Sequence, residues 1–137
     1  MDLVIYTDGA SRNNPGNAAI GYLITNGKKE LERGGEYLGV ATNNQAEYRA
    51  LIKALKEARK YNPNKITCYS DSNLMVNQLK GDWKVKEPQL KDLHSNIKEL
   101  EKKFEKVHYK HVKRDNPGIQ KCDKQANEVL DLHTKSI

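Results

Sequence analysis

The sequence is poor in the features that mark secreted or membrane proteins. Only two cysteines occur among its 137 residues, Cys68 and Cys122, far apart and without CxxC spacing. That leaves no disulfide framework to expect, and it predicts two free thiols in a reducing, cytoplasmic setting. No stretch approaches the ~18 consecutive apolar residues of a membrane span, so no membrane partner is expected. The start, Met1-Asp2-Leu3-Val4-Ile5-Tyr6, lacks a basic segment followed by a long apolar run. It reads as a first strand, not a signal peptide. Internal repeats, low-complexity segments and linkers are also missing. The expectation is a single domain over residues 1–137, acting as a monomer.

What is present suits a globular chain that buries a core: 36% hydrophobic and 31% charged residues. The formal net charge is +6. An excess of this sign favours a polyanionic partner such as nucleic acid, although lysine-rich surfaces also serve solubility alone.

Hydrophobic periodicity orders the chain as β-β-β-α-β-α-α-β-α. Leu3–Asp8 alternates as a strand and stops at Gly9. Asn26-Gly27 lies between two strand-like runs, Ala18–Thr25 and Lys28–Tyr37, and signals a hairpin because both residues tolerate positive φ. A helix follows Thr42-Asn43-Asn44, with Leu51, Ala54, Leu55 and Ala58 at helical spacing. Lys65–Ser70 reads as a fourth strand. A short helix near Leu74–Leu79 is broken by Gly81-Asp82. Leu90, Leu93, Ile97, Leu100 and Phe104 form the seam of an amphipathic helix. Lys106–Val112 is a fifth strand, Asn116-Pro117-Gly118 a loop, and Gln120–His133 a last helix. Together these predict an α/β domain around one mixed sheet.

Four acids occupy comparable places in this scheme. Asp8 and Asp71 follow strands, where ligands of α/β sheets gather. Glu47 lies four, seven and eleven residues before Leu51, Ala54 and Ala58, at the head of an apolar helix face. Asp123 stands in the same relation to Ala126 and Leu130. Each has a structural reading too: turn residues for Asp8 and Asp71, a capping-box partner of Asn44 for Glu47, a macrodipole residue for Asp123. If the four converge, mutual repulsion makes sense mainly around cations, and an oxygen-only set suits Mg²⁺ or Mn²⁺. Two such ions support phosphodiester cleavage.

At these residues the chain resembles type 1 ribonuclease H. The segments that carry the resemblance are Tyr6-Thr7-Asp8-Gly9-Ala10, Asn14-Pro15-Gly16, Thr42-Asn43-Asn44-Gln45-Ala46-Glu47, Tyr69-Ser70-Asp71-Ser72 and Cys122-Asp123-Lys124-Gln125-Ala126-Asn127. They span the chain in family order. The resemblance implies a ribonuclease H-like fold, a five-stranded mixed sheet flanked by helices. It implies that Asp8, Glu47, Asp71 and Asp123 are the catalytic, metal-binding acids, with two Mg²⁺ ions or Mn²⁺ in their place. The implied activity is endonucleolytic cleavage of the RNA strand of an RNA–DNA hybrid, with double-stranded RNA as a further partner. Asn14, Asn43 and Asn44 are the implied RNA contacts, and amides suit 2′-hydroxyls and minor-groove edges. Thr42 and Asn73, the latter standing where related proteins often carry Gln, join them as substrate-contact candidates. For Asn14 the structural alternative is a turn, and for Asn43 and Asn44 helix capping.

The chain also departs from the bacterial pattern. Residues 114–121 contain no histidine, and Asp115 is the nearest polar substitute. His111 falls in the fifth strand and reads as structural. Val40 stands where some relatives place an arginine for a DNA phosphate. The basic protrusion is reduced to Trp83-Lys84-Val85-Lys86 and one helix, and no terminal hybrid-binding domain is expected. Trp83 has two readings of equal weight, a platform for deoxyribose and a lid on the neighbouring helix. The compact archaeal-like or reverse-transcriptase-like form is the nearest match. Two other activities compete: a non-catalytic hybrid- or double-stranded-RNA-binding module on this fold, against which four acids speak, and a DNA-junction nuclease, which the asparagines disfavour.

Overall fold

A computed structural model describes residues 1–135. Five strands, β1 (Leu3–Arg12), β2 (Gly16–Thr25), β3 (Glu30–Ala41), β4 (Lys65–Ser70) and β5 (Lys106–His111), form one sheet in the order β3-β2-β1-β4-β5. The first three pair antiparallel, whereas β4 lies parallel to both β1 and β5. Four helices flank the sheet: α1 (Asn43–Ala58), α2 (Asn73–Lys80), α3 (Pro88–Glu101) and α4 (Pro117–Lys135). This is the mixed α/β architecture that the periodicity predicts. No helix among the described residues is long and apolar enough to cross a membrane.

Strand alternation divides the sheet into two faces. Leu3, Ile5, Ile24, Ile66 and Cys68 point to one side and join Leu51, Leu55, Leu79, Ile97 and Leu100 in the main core. On the other side α4 packs over β1, β2 and β3, burying Ala126 and Leu130 against Ala19. A buried hydrogen bond from the Tyr48 hydroxyl to Gln78 Oε1 (2.5 Å) ties α1 to α2.

Several boundaries differ from the sequence reading. β1 does not stop at Gly9 but runs to Arg12, because β2 continues to pair with it as far as Arg12↔Asn17. Its parallel pairing with β4 ends earlier, at Tyr6↔Tyr69, so Asp8 lies just past the parallel part of the sheet. The Asn26-Gly27 turn is longer than a two-residue hairpin. Asn26 N–H donates to Lys29 O (3.1 Å), and Asn26 Oδ1 accepts from the N–H groups of Lys28 and Lys29. Gly27 alone of the pair takes positive φ. Pro117 and Gly118 belong to α4 and not to a loop. Proline fits the first helical position, and Asn116 Oδ1 accepts from the N–H groups of Gly118 and Ile119. α3 ends at Glu101, so Phe104 continues the apolar seam from outside the helix.

Candidate active site

Three elements deliver three carboxylates to one point. Asp8 comes from β1, Asp71 directly follows β4, and Glu47 sits in the second turn of α1. One oxygen from each lies within 4.8 Å of the others. Asp8 and Glu47 are buried and Asp71 partly so. The meeting of Asp8 and Asp71 follows from the parallel register of β1 and β4. Glu47 arrives because α1 approaches β1 closely over Gly9. A Cβ on Gly9 would lie 2.3 Å from the backbone carbon of Ala46. The Gly9 N–H donates to Glu47 Oε1 at 2.7 Å.

Asp123 is placed differently. Cys122, not Asp123, faces the sheet, and its thiol donates to Tyr6 O. Asp123 is exposed at the flank of α4, outside the compact triplet, yet its carboxyl reaches that of Asp8, as the expected convergence requires, and lines the same cavity of about 350 Å³. Its position depends on a second close approach. Gly21 is the register partner of Asp8, and a Cβ there would lie 2.0 Å from Cys122 O. The inward, helix-heading orientation expected for Asp123 is therefore corrected: helical spacing fitted Cys122 equally well, and the smaller apolar residue took the buried position.

Burial and neighbouring negative charge act together here. Desolvation, then the charges of Asp71 and Asp123, push the Asp8 carboxyl from its ordinary 3.8 to about 8, partly opposed by Arg114. Glu47 is raised well above its ordinary value by burial and by Asp8 and Asp71, with the Gly9 N–H working in the opposite direction. Such a cluster is a poor salt-bridge network and a good cation site. Its oxygen-only donors fit a hard divalent ion and offer a soft one no sulfur or imidazole.

The cavity is also lined by Ser11, Asn43 and Arg114. Sequence reasoning missed Arg114. Its Nε is 3.7 Å from Asp71 Oδ2, while its side chain stays 93% exposed. Asp115, expected as the polar substitute in this loop, does not line the cavity. The available signal was a lone arginine after β5, which a search for histidine passes over.

Of the candidate amides, Asn43 lines the cavity and Asn14 is hydrogen-bonded to it, whereas Asn44 and Asn73 do not line it. Thr42 caps α1 and Gln45 closes the capping box, so neither Asn44 nor Glu47 serves that purpose. Asn43 is exposed, and its Oδ1 accepts from Ser11 N–H (3.0 Å). Asn14, also exposed, accepts from Asn43 N–H at its own Oδ1 (3.0 Å). Asn44 is partly buried. Asn73 opens α2, exposed, and receives a hydrogen bond from Asn77 Nδ2. Trp83 is 45% exposed and borders a separate groove of about 470 Å³ with Leu74, Gln78, Lys84 and Lys86. Val40 is 73% exposed, away from the core.

Comparison with known proteins agrees with this geometry. A family model described as reverse transcriptase-like matches residues 6–128. The chain is 41% identical over 127 residues to a ribonuclease HI of Halobacterium salinarum, covering 92% of this chain and 63% of that protein. The chain thus spans less than two thirds of that relative. It is 32% identical over 142 residues to a ribonuclease H of Chlorobium luteolum, covering 93% and 94%. The crystal structure of the Halobacterium salinarum RNase H1 superposes with a TM-score of 0.90 at 39% identity, over 96% of this chain and 98% of that one. LC11-RNase H1, isolated from compost by a metagenomic approach and solved in complex with an RNA/DNA hybrid, gives 0.90 at 34% identity, covering 96% and 99%. With the mixed sheet, the three-carboxylate cluster and these matches in agreement, the chain belongs to the type 1 ribonuclease H family.

Proposed function

We propose that residues 1–137 form one ribonuclease H domain that hydrolyses the RNA strand of RNA–DNA hybrids, with Mg²⁺ as the resident metal and Mn²⁺ able to replace it. The observation that carries this is the convergence of Asp8, Glu47 and Asp71 within 4.8 Å, beside the amide of Asn43. When bound, the ions would activate a water and stabilise the leaving 3′ oxygen, giving 3′-hydroxyl and 5′-phosphate ends. Asp8, Glu47 and Asp71 hold the cluster from two strands and a helix. Asp123, on the exposed flank, completes it from the substrate side. Asn14, Asn43 and Asn44 meet the 2′-hydroxyls and minor-groove edges of the RNA. Thr42 fixes the helix end that presents them. Asn73 contacts the strand from the start of α2, and Trp83 with Lys84 and Lys86 receives the DNA backbone.

The test compares end-labelled hybrid, double-stranded RNA and double-stranded DNA, each with Mg²⁺, Mn²⁺ or EDTA. Cleavage confined to the RNA strand of the hybrid and abolished by EDTA is the expected result. Hybrid binding without cleavage in any metal would favour the non-catalytic module. Efficient cutting of the DNA duplex would sink the RNA-strand reading.

Arg114 supplies a positive charge where the scissile phosphate must lie, in the loop that lacks histidine. Arg114→Ala is expected to lower kcat about tenfold, less than the ~10²–10³ lost with a preorganised donor because the side chain is exposed. Arg114→Lys should recover part of it. An alanine variant with unchanged kcat would remove Arg114 from the reaction.

A further inference from the structure

The side of the sheet that carries α4 holds a second concavity, of about 390 Å³. Its floor is made by Tyr6 of β1 and Tyr69 of β4, which are register partners. Their rings stack with centroids 5.2 Å apart and planes 17° from parallel. Both tyrosines are partly exposed. Val4, Leu23 and Pro117 form apolar walls, and Lys28, Lys29 and Lys121 stand around the edge. Exposed Lys110 is the register neighbour of Tyr69 on β5 and extends the basic border. Glu30 is the one acid among the lining residues. Arg33 engages it through two hydrogen bonds (3.0 and 2.7 Å), and Lys121 lies 3.9 Å away.

We propose that this groove is an accessory site for single-stranded DNA, with a base against the face of Tyr69 turned away from Tyr6, whose own ring is packed against Gly118, and phosphates at Lys28, Lys29 and Lys121. An aromatic face held rigid by a stacked neighbour and bordered by cations is the chemistry that holds unpaired bases. A duplex keeps its base faces enclosed and offers nothing to such a floor. The lining also separates DNA from RNA. It contains no asparagine or glutamine. Its one threonine hydroxyl, Thr25 Oγ1, already donates to Val4 O and accepts from Gly27 N–H. A 2′-hydroxyl set against Val4, Leu23 and Pro117 would lose water there, with no side-chain amide to read it. Charge alone would also suit an acidic peptide, but a peptide makes no use of the paired rings.

The site does not depend on the cleavage reading and can be tested without catalysis. Anisotropy of a labelled oligothymidylate of about eight nucleotides, in EDTA and low salt, measures its affinity. Unlabelled oligouridylate and polyglutamate of equal length serve as competitors. The paired substitution Lys28→Glu with Lys29→Glu lies in an exposed loop and is expected to weaken binding about tenfold or more, with a flatter salt dependence. Tyr69→Leu should weaken it several-fold with the salt slope unchanged, since stacking releases no counterions. Melting curves confirm that both variants fold. The Lys28/Lys29 variant should cut hybrid as the parent does, which separates this groove from the acidic pocket. No binding to the parent, or undiminished binding to both variants, would overturn the proposal. Oligouridylate competing as well as DNA would remove the assignment to DNA. Polyglutamate competing as well as DNA would assign the groove to acidic peptides.

Discussion

Asp8→Asn is expected to all but abolish hybrid cleavage while making the metal-free protein more stable. The loss of turnover should be about 10³-fold or more, the upper range for removing one preorganised electrostatic group. Hybrid binding should remain measurable, because phosphate and 2′-hydroxyl contacts lie partly outside the carboxylates. The gain in stability follows from the same geometry. Burial and the charges of Asp71 and Asp123 raise the Asp8 carboxyl to about 8 in the folded chain. A carboxyl whose folded value lies above its unfolded one contributes stability that is fully present below pH ~4 and is lost as pH rises through the folded value. Between about pH 4 and 8, therefore, folding of the metal-free protein requires Asp8 to take up a proton that the unfolded chain has lost, at a cost that rises with pH. The asparagine keeps the shape and has no proton to take up on folding. In EDTA at neutral pH the mutant should melt higher, by several degrees, given roughly 4 °C per kcal/mol for a chain of this size. Mg²⁺ should then raise the parent's melting temperature more than the mutant's, since a ligand stabilises only the state that binds it. Four melting curves and one cleavage assay decide the matter. A mutant that melts lower in EDTA, with both proteins indifferent to Mg²⁺, would show Asp8 to be an ordinary structural residue.

Gly21→Ala should cost about 10² in kcat, although residue 21 carries no chemistry of its own. Its Cβ would stand 2.0 Å from Cys122 O, and the obstruction is backbone, not a flexible side chain. α4 has to retreat, and Asp123, the next residue, retreats from Asp8 with it. A displacement of about 1 Å is enough for a hundredfold loss in a preorganised site. Gly9→Ala should act in parallel from the opposite face. It pushes α1 outward at Ala46 and stretches the Gly9–Glu47 hydrogen bond. Overpacking of this kind costs about 1–3 kcal/mol, so assays belong well below the melting temperature. Weakened Mn²⁺ binding by calorimetry should accompany the loss of turnover. Parental activity in Gly21→Ala would show that α4 does not set the position of Asp123.

The mixed sheet, the sequence of elements along the chain and the three central acids were legible because each rests on a period, whereas the order of strands in the sheet came only from the fold. Glu47 follows from spacing to Leu51, Ala54 and Ala58, and Asp8 with Asp71 from two strands that proved parallel. What escaped lay where periodicity carries no information. Ala10-Ser11-Arg12 has no strand-like apolar pattern, and it extends β1 only because β2 supplies partners. Thr42 with Gln45 and Asn44 with Glu47 have the same capping-box spacing; α1 starts at Thr42, and Glu47 Oε1 accepts from Gly9 N–H instead. On α4, residues 122 and 123 are both compatible with the apolar face defined by Ala126 and Leu130, and packing alone chose between them. Arg114 belongs to a loop whose course is set by the end of β5 and the start of α4, which no local pattern reveals.

The hydrogen bonds of the amide rim carry a consequence for what the protein can discriminate. Asn43 spends its side-chain oxygen on Ser11 N–H, and Asn14 spends its own on Asn43 N–H. Both amides are thereby polarised, with the NH₂ end left for the substrate. On the proposed reading they are donors, and they meet the minor groove of the hybrid. There the purine N3 and pyrimidine O2 are acceptors in every base pair, whichever base is present. A rim that only donates senses what all sequences share and is blind to what distinguishes them. Indifference to sequence would then be a property of two rotated amides, set by the backbone of β1 and the first residue of α1.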